Sequence, residues 1–413
     1  MEKLKSITPF VRLDSGTAIE RKGSFITEPA WVLCKMELPV QNIMGKELRH
    51  LGIYLHAFYN GGIERVMLSL IRQLLTRGVK IDLVVNQRGY SPMWEELPRE
   101  VNVVDLRVRR FSERLPKLVG YLRKERPECI LSAQHFSNEL AIASKLYSRL
   151  PVRIVASEHT HLSREFQSMP RFSPRRIGVT LAGRCLYRFA DGVVGVSEGV
   201  SRDAEKLFGL RRGRSTTIYN PVDMERVRLL GEEPIDHPWF LQNEKPVIVA
   251  MGRLEEQKDF ATLLRAFAQV RAQSDVRLAI LGEGSQRQAL TEQIKANGME
   301  NHVWMPGFIA NPYPYLKRAA AFALSSAWEG FAIVLVEAMA LGVPVISTRC
   351  PSGPDEILQG GKYGALVPVG DDTALALGLL KILDGGSQKP PGEALTPYTA
   401  EHVAQQYIQI LGS

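Results

Sequence analysis

Only four cysteines stand among the 413 residues, at Cys34, Cys129, Cys185 and Cys350, and none forms a C-x-x-C pair. That spacing argues against a zinc site and a disulfide framework, and suggests a reducing compartment. Long apolar runs are also missing. No stretch reaches the roughly 18 uncharged residues of a membrane span, and the best one, Phe322 to Ile346, is broken by two glutamates. Met1 to Lys22 has no continuous apolar centre, so no signal peptide is expected. No D-x-D stands in a loop suited to a metal, and no DNA- or RNA-binding motif occurs, so neither metal nor nucleic acid is an expected partner. What remains is ordinary for a globular protein, 45% hydrophobic and 23% charged, in a chain long enough for two domains.

Acidic residues fall short of basic ones, giving a net charge of +8. Much of the excess is local. From Arg107 to Arg126 eight Lys and Arg face two Glu, and from Arg164 to Arg188 six Arg face Glu165 alone. Such runs are ordinarily solvated faces. Apolar residues lie between the cations, however: Phe111, Leu115, Leu118, Val119, Tyr121 and Leu122 in the first run. A basic amphipathic helix suits an anionic membrane surface, so both runs are candidate peripheral membrane contacts.

Residues 1–47 lack periodicity and are expected to be a poorly ordered extension; an upstream-started reading and a real N-terminal arm are both open for the first 43. Beyond them, strand-like runs alternate with helix-like ones. Gly52 to Ala57 reads as the first strand, followed by Gly61-Gly62-Ile63-Glu64-Arg65 and a helix from Ile63 to Thr76. Further strands are expected at Lys80 to Val85, Val101 to Leu106, Glu128 to Ser132, Val152 to Ser157 and Gly192 to Val196. Alternation of this kind implies a parallel sheet with helices on both faces and ligands at the carboxyl ends of its strands. Histidines stand just past two of those ends, in Ser132-Ala133-Gln134-His135 and Ser157-Glu158-His159-Thr160-His161. Asn220-Pro221 closes this series, and Gly231 to Lys245 reads as a polar connector.

The second series opens with the strand Pro246 to Met251, which runs into Gly252-Arg253-Leu254-Glu255-Glu256-Gln257-Lys258-Asp259. A guanidinium and an ammonium five residues apart at the end of a buried strand can clamp a diphosphate. Later comes Ser325 to Thr348, in which Glu329 and Glu337 are eight positions apart. A helix is expected from about Phe331, with Gly330, Phe331, Ala332 and Ile333 at its start and Gly342 as its left-handed cap. Eight residues leave the two carboxylates roughly 80° apart around the axis, with a phosphate-accepting helix N-terminus between them. One carboxylate on each side of a diphosphate can hold the hydroxyls of two sugars, which is the layout of a nucleotide-sugar. The bland alternative makes Glu329 a helix-start acid and Glu337 a solvated residue. Against it, Glu337 sits in the nearly unbroken apolar run Ala332 to Ala340, where a Glu needs a partner.

Glu329-Gly330-Phe331, the interval to Glu337-Ala338-Met339-Ala340 and the following Gly342-Val343-Pro344-Val345 resemble the E-x7-E signature of retaining GT-B glycosyltransferases of family four. Further likeness lies in Gly61-Gly62-x-Glu64-Arg65, in Gly252-Arg253-Leu254-x-x-x-Lys258-Asp259 and in the landmarks around Asp191 and Asn220. The resemblance implies that Arg253 and Lys258 hold the donor diphosphate and steady the leaving group. It implies that Gly61 and Gly62 line the first loop near the donor, that Gly282 begins a G-x-G turn near the nucleoside, and that Gly307 and Phe308 pack over the base. By the same resemblance His159 lies near the reacting sugar; Glu158, His161 and His135 are weaker candidates. Where the family often reads E-G-F-G this chain has Ala332, whose methyl is expected to matter little at a helix start while narrowing the approach of a phosphate or sugar. Pro351-Ser352-Gly353-Pro354-Asp355-Glu356 reads as a second Gly-rich turn or a plain N-cap.

The fold expected is therefore two doubly wound Rossmann-like α/β domains facing across a cleft, at residues 48–222 and 223–397, with residues 398–413 forming a helix that crosses back to the first. The expected activity is transfer of a sugar from a nucleotide-sugar, such as a UDP-sugar, to a glycan or lipid-linked acceptor at the cytoplasmic membrane face. Retention and hexosyl or N-acetylhexosaminyl transfer are part of that expectation, with no metal or other cofactor. The alternatives are a nucleotide-sugar epimerase of the same architecture and a non-catalytic nucleotide-sugar-binding protein.

Overall fold

The computed structural model describes residues 48–59, 61–167, 173–241, 245–386 and 392–413; the expected N-terminal extension at residues 1–47 lies outside them. Two parallel sheets organise the rest. The first takes strands β1 His50–Leu55, β2 Lys80–Val85, β3 Asn102–Asp105, β4 Cys129–Ala133, β5 Arg153–Glu158, β6 Gly192–Gly195 and β7 Ser215–Thr217, in the order β3-β2-β1-β4-β5-β6-β7. The second takes β8 Val247–Met251, β9 Arg277–Leu281, β10 Val303–Gly307, β11 Ala321–Leu324, β12 Val345–Thr348 and β13 Ala365–Val367, in the order β10-β9-β8-β11-β12-β13. Both orders reverse beside the first strand of the lobe, which opens a crevice at the carboxyl ends of the strands. The two doubly wound domains expected from the alternation are thus present.

Central strands are buried along nearly their whole length, β4 at every residue. Helices cover both faces, which is why these strands read as continuous apolar runs rather than alternating ones. Helix Gly62–Leu75 shows the complementary pattern, burying Val66, Met67, Leu70, Ile71 and Leu74 as one stripe. The last helix, Ala400–Gly412, buries Val403, Ala404, Tyr407 and Leu411 in the core of the first lobe. Arg153 donates to the carbonyls of Ile410 and Leu411 at 3.2 and 3.1 Å and holds the helix end there.

The first basic run departs from its membrane reading. In helix Arg114–Glu125 the residues Leu118, Val119, Tyr121 and Leu122 are buried against the first sheet, and the Tyr121 hydroxyl donates to Asp82 at 2.9 Å. The apolar face is spent on the core and is not offered to a lipid surface. Phe111, 71% exposed with the Arg114 guanidinium over its ring, is the apolar group this run presents outward. The second run behaves differently: helix Pro174–Leu186 exposes Ile177 and Leu181, one turn apart, together with Arg184. Among the described residues no helix is long and apolar enough to cross a membrane.

Candidate active site

The strand ends of the second lobe bring its motifs together. Gly252, Gly282 and Gly307 terminate the neighbouring strands β8, β9 and β10, joined by Gly252 N–H to the Leu281 carbonyl at 3.0 Å and Gly282 N–H to the Gly307 carbonyl at 2.9 Å. Phe308 follows and is exposed. From β8 the chain turns through the short helix Glu256–Lys258, which returns the Lys258 stem against Gly252. Asp259 then caps helix Phe260–Arg271, accepting from Thr262 N–H at 3.2 Å. Arg253 is exposed and forms no ion pair among the described residues.

The loop after β11 is stitched to this turn. Ser325 Oγ donates to the Lys258 carbonyl at 2.8 Å, Ala327 N–H to the Gln257 carbonyl at 2.8 Å, and Gln257 Nε2 to the Trp328 carbonyl at 2.9 Å. These bonds place Glu329 on Lys258: Nζ meets Oε1 at 2.5 Å, and Ser326 Oγ donates to the same oxygen at 2.6 Å. Glu329 is 5% exposed. Two residues named separately for the diphosphate and the donor sugar therefore pair with each other. The pair satisfies a buried carboxylate with a charge-assisted hydrogen bond.

Helix Ile333–Ala340 begins later and ends earlier than the sequence suggests. Its end is the expected glycine cap: Gly342 has φ +72°, with Gly342 N–H on the Met339 carbonyl and Val343 N–H on the Ala338 carbonyl, both at 3.0 Å. Its start corrects an expectation. Ala332 is in the left-handed region, at φ 66° and ψ 55°. The family's habit of glycine here is conformational, and the alanine methyl is not a minor change: it places an L-residue where backbone and Cβ clash. In the second turn Glu337 is 9% exposed, and burial pushes its carboxyl up to about 7, against the pull of the Tyr313 hydroxyl that donates to Oε1 at 2.9 Å. The solvated reading of Glu337 is excluded by that burial. Tyr313 gave no signal in the sequence; only the fold brings it to Glu337.

The first lobe faces these groups. Gly61 caps helix Gly62–Leu75, and the Glu64 carboxylate folds back over it to accept from backbone N–H groups of Glu64 and Tyr59, which gives Glu64 a supporting role in the loop. Arg65, in the first turn, acts electrostatically on both Glu337 and Tyr313. At the end of β5 the backbone of His159 lies on Gly330: a Cβ at Gly330 would stand 2.0 Å from the His159 carbonyl oxygen, so this approach requires glycine. The His159 ring has Nε2 3.0 Å from Ser157 Oγ, while burial holds its pKa down at about 4 and keeps it neutral. Ile333 packs against the cores of both lobes, and Phe331 stacks on Tyr219 with centroids 5.6 Å apart.

Glu158 and His135 are turned elsewhere. The Glu158 carboxylate is fully buried, takes hydrogen bonds from the Tyr187 hydroxyl and from Asn138 Nδ2, and lies 3.9 Å from His135 Nδ1. Burial alone would push His135 down, but the Glu158 hydrogen bond and the charges of Glu158 and Glu139 move it up. Burial raises Glu139 to about 7. His161 lies 3.4 Å from Asp203. This is a buried polar network under the strand ends, distinct from the charged groups around Glu329. Among the described residues no group of three or more His, Cys, Asp or Glu side chains is arranged to hold a metal ion.

Known proteins are consistent with this geometry. Residues 60–226 match glycosyltransferase family 4, and residues 232–395 match glycosyl transferases group 1. Over 353 residues the chain is 27% identical to an N-acetylgalactosamine-N,N'-diacetylbacillosaminyl-diphospho-undecaprenol 4-alpha-N-acetylgalactosaminyltransferase of Campylobacter jejuni, covering 82% of this chain and 91% of the relative. Over 370 residues it is 25% identical to a lipopolysaccharide core biosynthesis glycosyltransferase of Rhizobium meliloti, covering 87% of this chain and 98% of the relative. The crystal structure of Anabaena HepE in complex with UDP and glucose superposes with a TM-score of 0.72 at 21% identity, covering 89% of this chain and 100% of that one, a likeness that speaks for the fold. With its first lobe matching Glycosyltransferase Family 4, its second matching Glycosyl transferases group 1, and a two-domain GT-B architecture built from them, the chain belongs to the GT-B glycosyltransferases.

Proposed function

We propose that this glycosyltransferase takes its sugar from a nucleotide-diphosphate-sugar, a UDP-sugar in the first instance, and moves it with retention to a lipid-linked or growing glycan. The observation that carries the donor site is the Lys258–Glu329 pair, stitched to the ends of β8 and β11 beside Arg253. Donor entry exchanges one set of partners for another. The diphosphate takes Lys258 and Arg253, and a hydroxyl of the donor sugar takes the released Glu329. Glu337 accepts from the ribose hydroxyls. The N–H groups near Ala332 and Ile333 face the phosphates, and His159, kept neutral, is the first-lobe group offered to the sugar. As the glycosidic bond breaks, negative charge gathers on the leaving diphosphate, where two fixed cations stabilise it more than in the ground state. Those cations are proposed to make a bound metal unnecessary. Retention rests on the E-x7-E likeness.

The acceptor assignment rests on the named activities of the Campylobacter and Rhizobium relatives, and N-acetylhexosaminyl transfer on that of the Campylobacter relative, with hexosyl transfer the other specificity proposed. Their being transferases favours transfer over epimerisation. A peripheral membrane contact is proposed through Arg107, Arg109, Arg110 and Phe111 and through Ile177 and Leu181, all exposed.

A panel of nucleotide-sugars screened by thermal unfolding, beside an Arg253→Ala/Lys258→Ala variant, tests the donor site. A donor at 100 times its Kd stabilises by about 2.7 kcal/mol, a shift of several degrees. Protection of wild type alone supports the clamp, and equal protection of both proteins refutes it. The anomeric configuration of the product, read by NMR, decides retention.

A further inference from the structure

We propose that Glu356 is a positioning residue that sets the closed apposition of the two lobes over the donor site. The proposal deepens the transferase reading and rests on it. Glu356 belongs to the four-residue helix Pro354–Ile357 after β12, in the second lobe. An acid in a first turn ordinarily serves its own helix. Here the carboxylate leaves its lobe: Oε2 accepts from Glu198 N–H at 2.7 Å and Oε1 from Gly199 N–H at 3.0 Å. Those are the first two residues of the first-lobe helix Glu198–Phe208, already capped by Ser197, whose Oγ accepts from Val200 N–H. Two of the remaining free N–H groups are thus met, at the positive end of the helix, by a two-pronged carboxylate from across the cleft. The phenol of Tyr219 hydrogen bonds to the same carboxylate while its ring stacks on Phe331.

The same first-lobe segment also holds the donor loop. Ser197 Oγ donates to the Gly330 carbonyl at 2.7 Å. Gly199 packs so closely on the loop carrying Glu356 that a Cβ there would stand 2.8 Å from Ser352 Cα. Residues 197–199 therefore bind the loop of Glu329 with one hand and the loop of Glu356 with the other. Separation of the lobes breaks the grip of Glu356 and removes the seat of Gly330 on Ser197 and on the His159 backbone together. On opening, water replaces those two N–H groups on the partly exposed carboxylate and the helix loses its anionic partner, so the grip favours the closed arrangement in which the first lobe completes the site.

Three variants test this. Glu356→Ala removes the grip. Glu356→Gln keeps one acceptor oxygen and turns an NH2 toward an N–H. Gly199→Ala leaves the charge and wedges the two loops apart, and it carries the test with Glu356→Gln if Glu356→Ala does not fold. Small-angle X-ray scattering reads the lobe separation, UDP titration reads the second lobe alone, and steady-state kinetics read kcat and KM. We expect a larger radius of gyration in Glu356→Ala and Gly199→Ala, UDP Kd within about twofold of wild type, and kcat lower by roughly ten- to a hundredfold, the penalty of a misplacement of about 1 Å. Wild-type scattering with wild-type kcat in Glu356→Ala overturns the proposal. So does a loss of UDP affinity equal to the loss of kcat, which would place Glu356 in nucleotide binding. If the wild-type protein transfers no sugar, the transferase reading fails, while scattering still reports on the grip.

Discussion

Replacing Tyr313 with Phe removes one oxygen and should move the pH dependence of nucleotide binding. Glu337 is buried, its carboxyl is pushed up to about 7, and the Tyr313 hydroxyl at 2.9 Å is the first influence holding it from rising further. A hydrogen bond to a charged group contributes about 1.5–3 kcal/mol. At 1.36 kcal/mol per unit, that is roughly one to two pKa units. The sign follows from which form the bond favours. The phenol donates to the carboxylate, so its loss favours the protonated acid and drives the pKa up, to about 8–9. Ribose hydroxyls are best accepted by the ionised carboxylate, so affinity falls as pH drops through the Glu337 pKa. In wild type that fall is centred near 7; in Tyr313→Phe it moves to higher pH. At pH 7 the variant is ionised roughly five to fifty times less than wild type, and UDP affinity falls by about that factor. Titration calorimetry with UDP from pH 6 to about 9.5 checks this. Weakening by the same factor at every pH would show that the phenol acts on packing alone, and an unmoved midpoint with full affinity would remove Glu337 from the nucleotide site.

Ala332→Gly should stabilise the protein. The left-handed conformation costs an alanine about 1–2 kcal/mol, glycine returns about 0.5–1 in backbone entropy, and the net gain of about 0.5–1 kcal/mol should raise the melting transition of the second lobe by ~1–3 °C; a lower transition temperature would contradict the backbone argument. At the surface, neutralising Arg107, Arg109 and Arg110 together should weaken binding to vesicles containing anionic lipid by about 3 kcal/mol, taking ~1 per cation. Ile177→Asp/Leu181→Asp should weaken it by a further, salt-insensitive amount. Unchanged co-sedimentation in both variants would dismiss the membrane contact.

The donor lobe was readable in the sequence to the extent that its function is local. Gly252, Arg253 and Lys258 lie on one turn, and Glu329 and Glu337 flank one helix start, so spacing offered the arrangement and the family resemblance gave it a purpose, while the Lys258–Glu329 pair itself, 71 residues apart, was not legible. Buried parallel strands were readable for a related reason: covered on both faces, they spell continuous apolar runs. The three-residue edge strand β7 spells none, since Ser215–Thr217 is polar and pairs along one side only. Periodicity also failed to say what an apolar face meets. The first basic run has the amphipathic pattern of a membrane helix, and the same pattern serves a helix lying on a sheet, where Leu118, Val119 and Leu122 are.

What stayed hidden depends on contacts between distant segments. Tyr313 and Glu337 are 24 residues apart, and nothing about a tyrosine in Asn311-Pro312-Tyr313 announces a carboxylate beside it. Glu356 stood in a stretch that read as a Gly-rich turn or a plain N-cap, and helix-start chemistry is the same whichever helix receives it; only the fold shows a recipient 158 residues away. Ala332 is the instructive case. A residue type reports conformation only when it is specialised for it, as Gly342 is, and alanine reports none. The family's glycine at that position was therefore the more informative observation, and its physical content was a positive φ. The helix start keeps this strained alanine where Phe331 before it meets Tyr219 and Ile333 after it meets both cores. Those neighbours fix the turn from both sides, so the strain is carried by the packing that also joins the lobes.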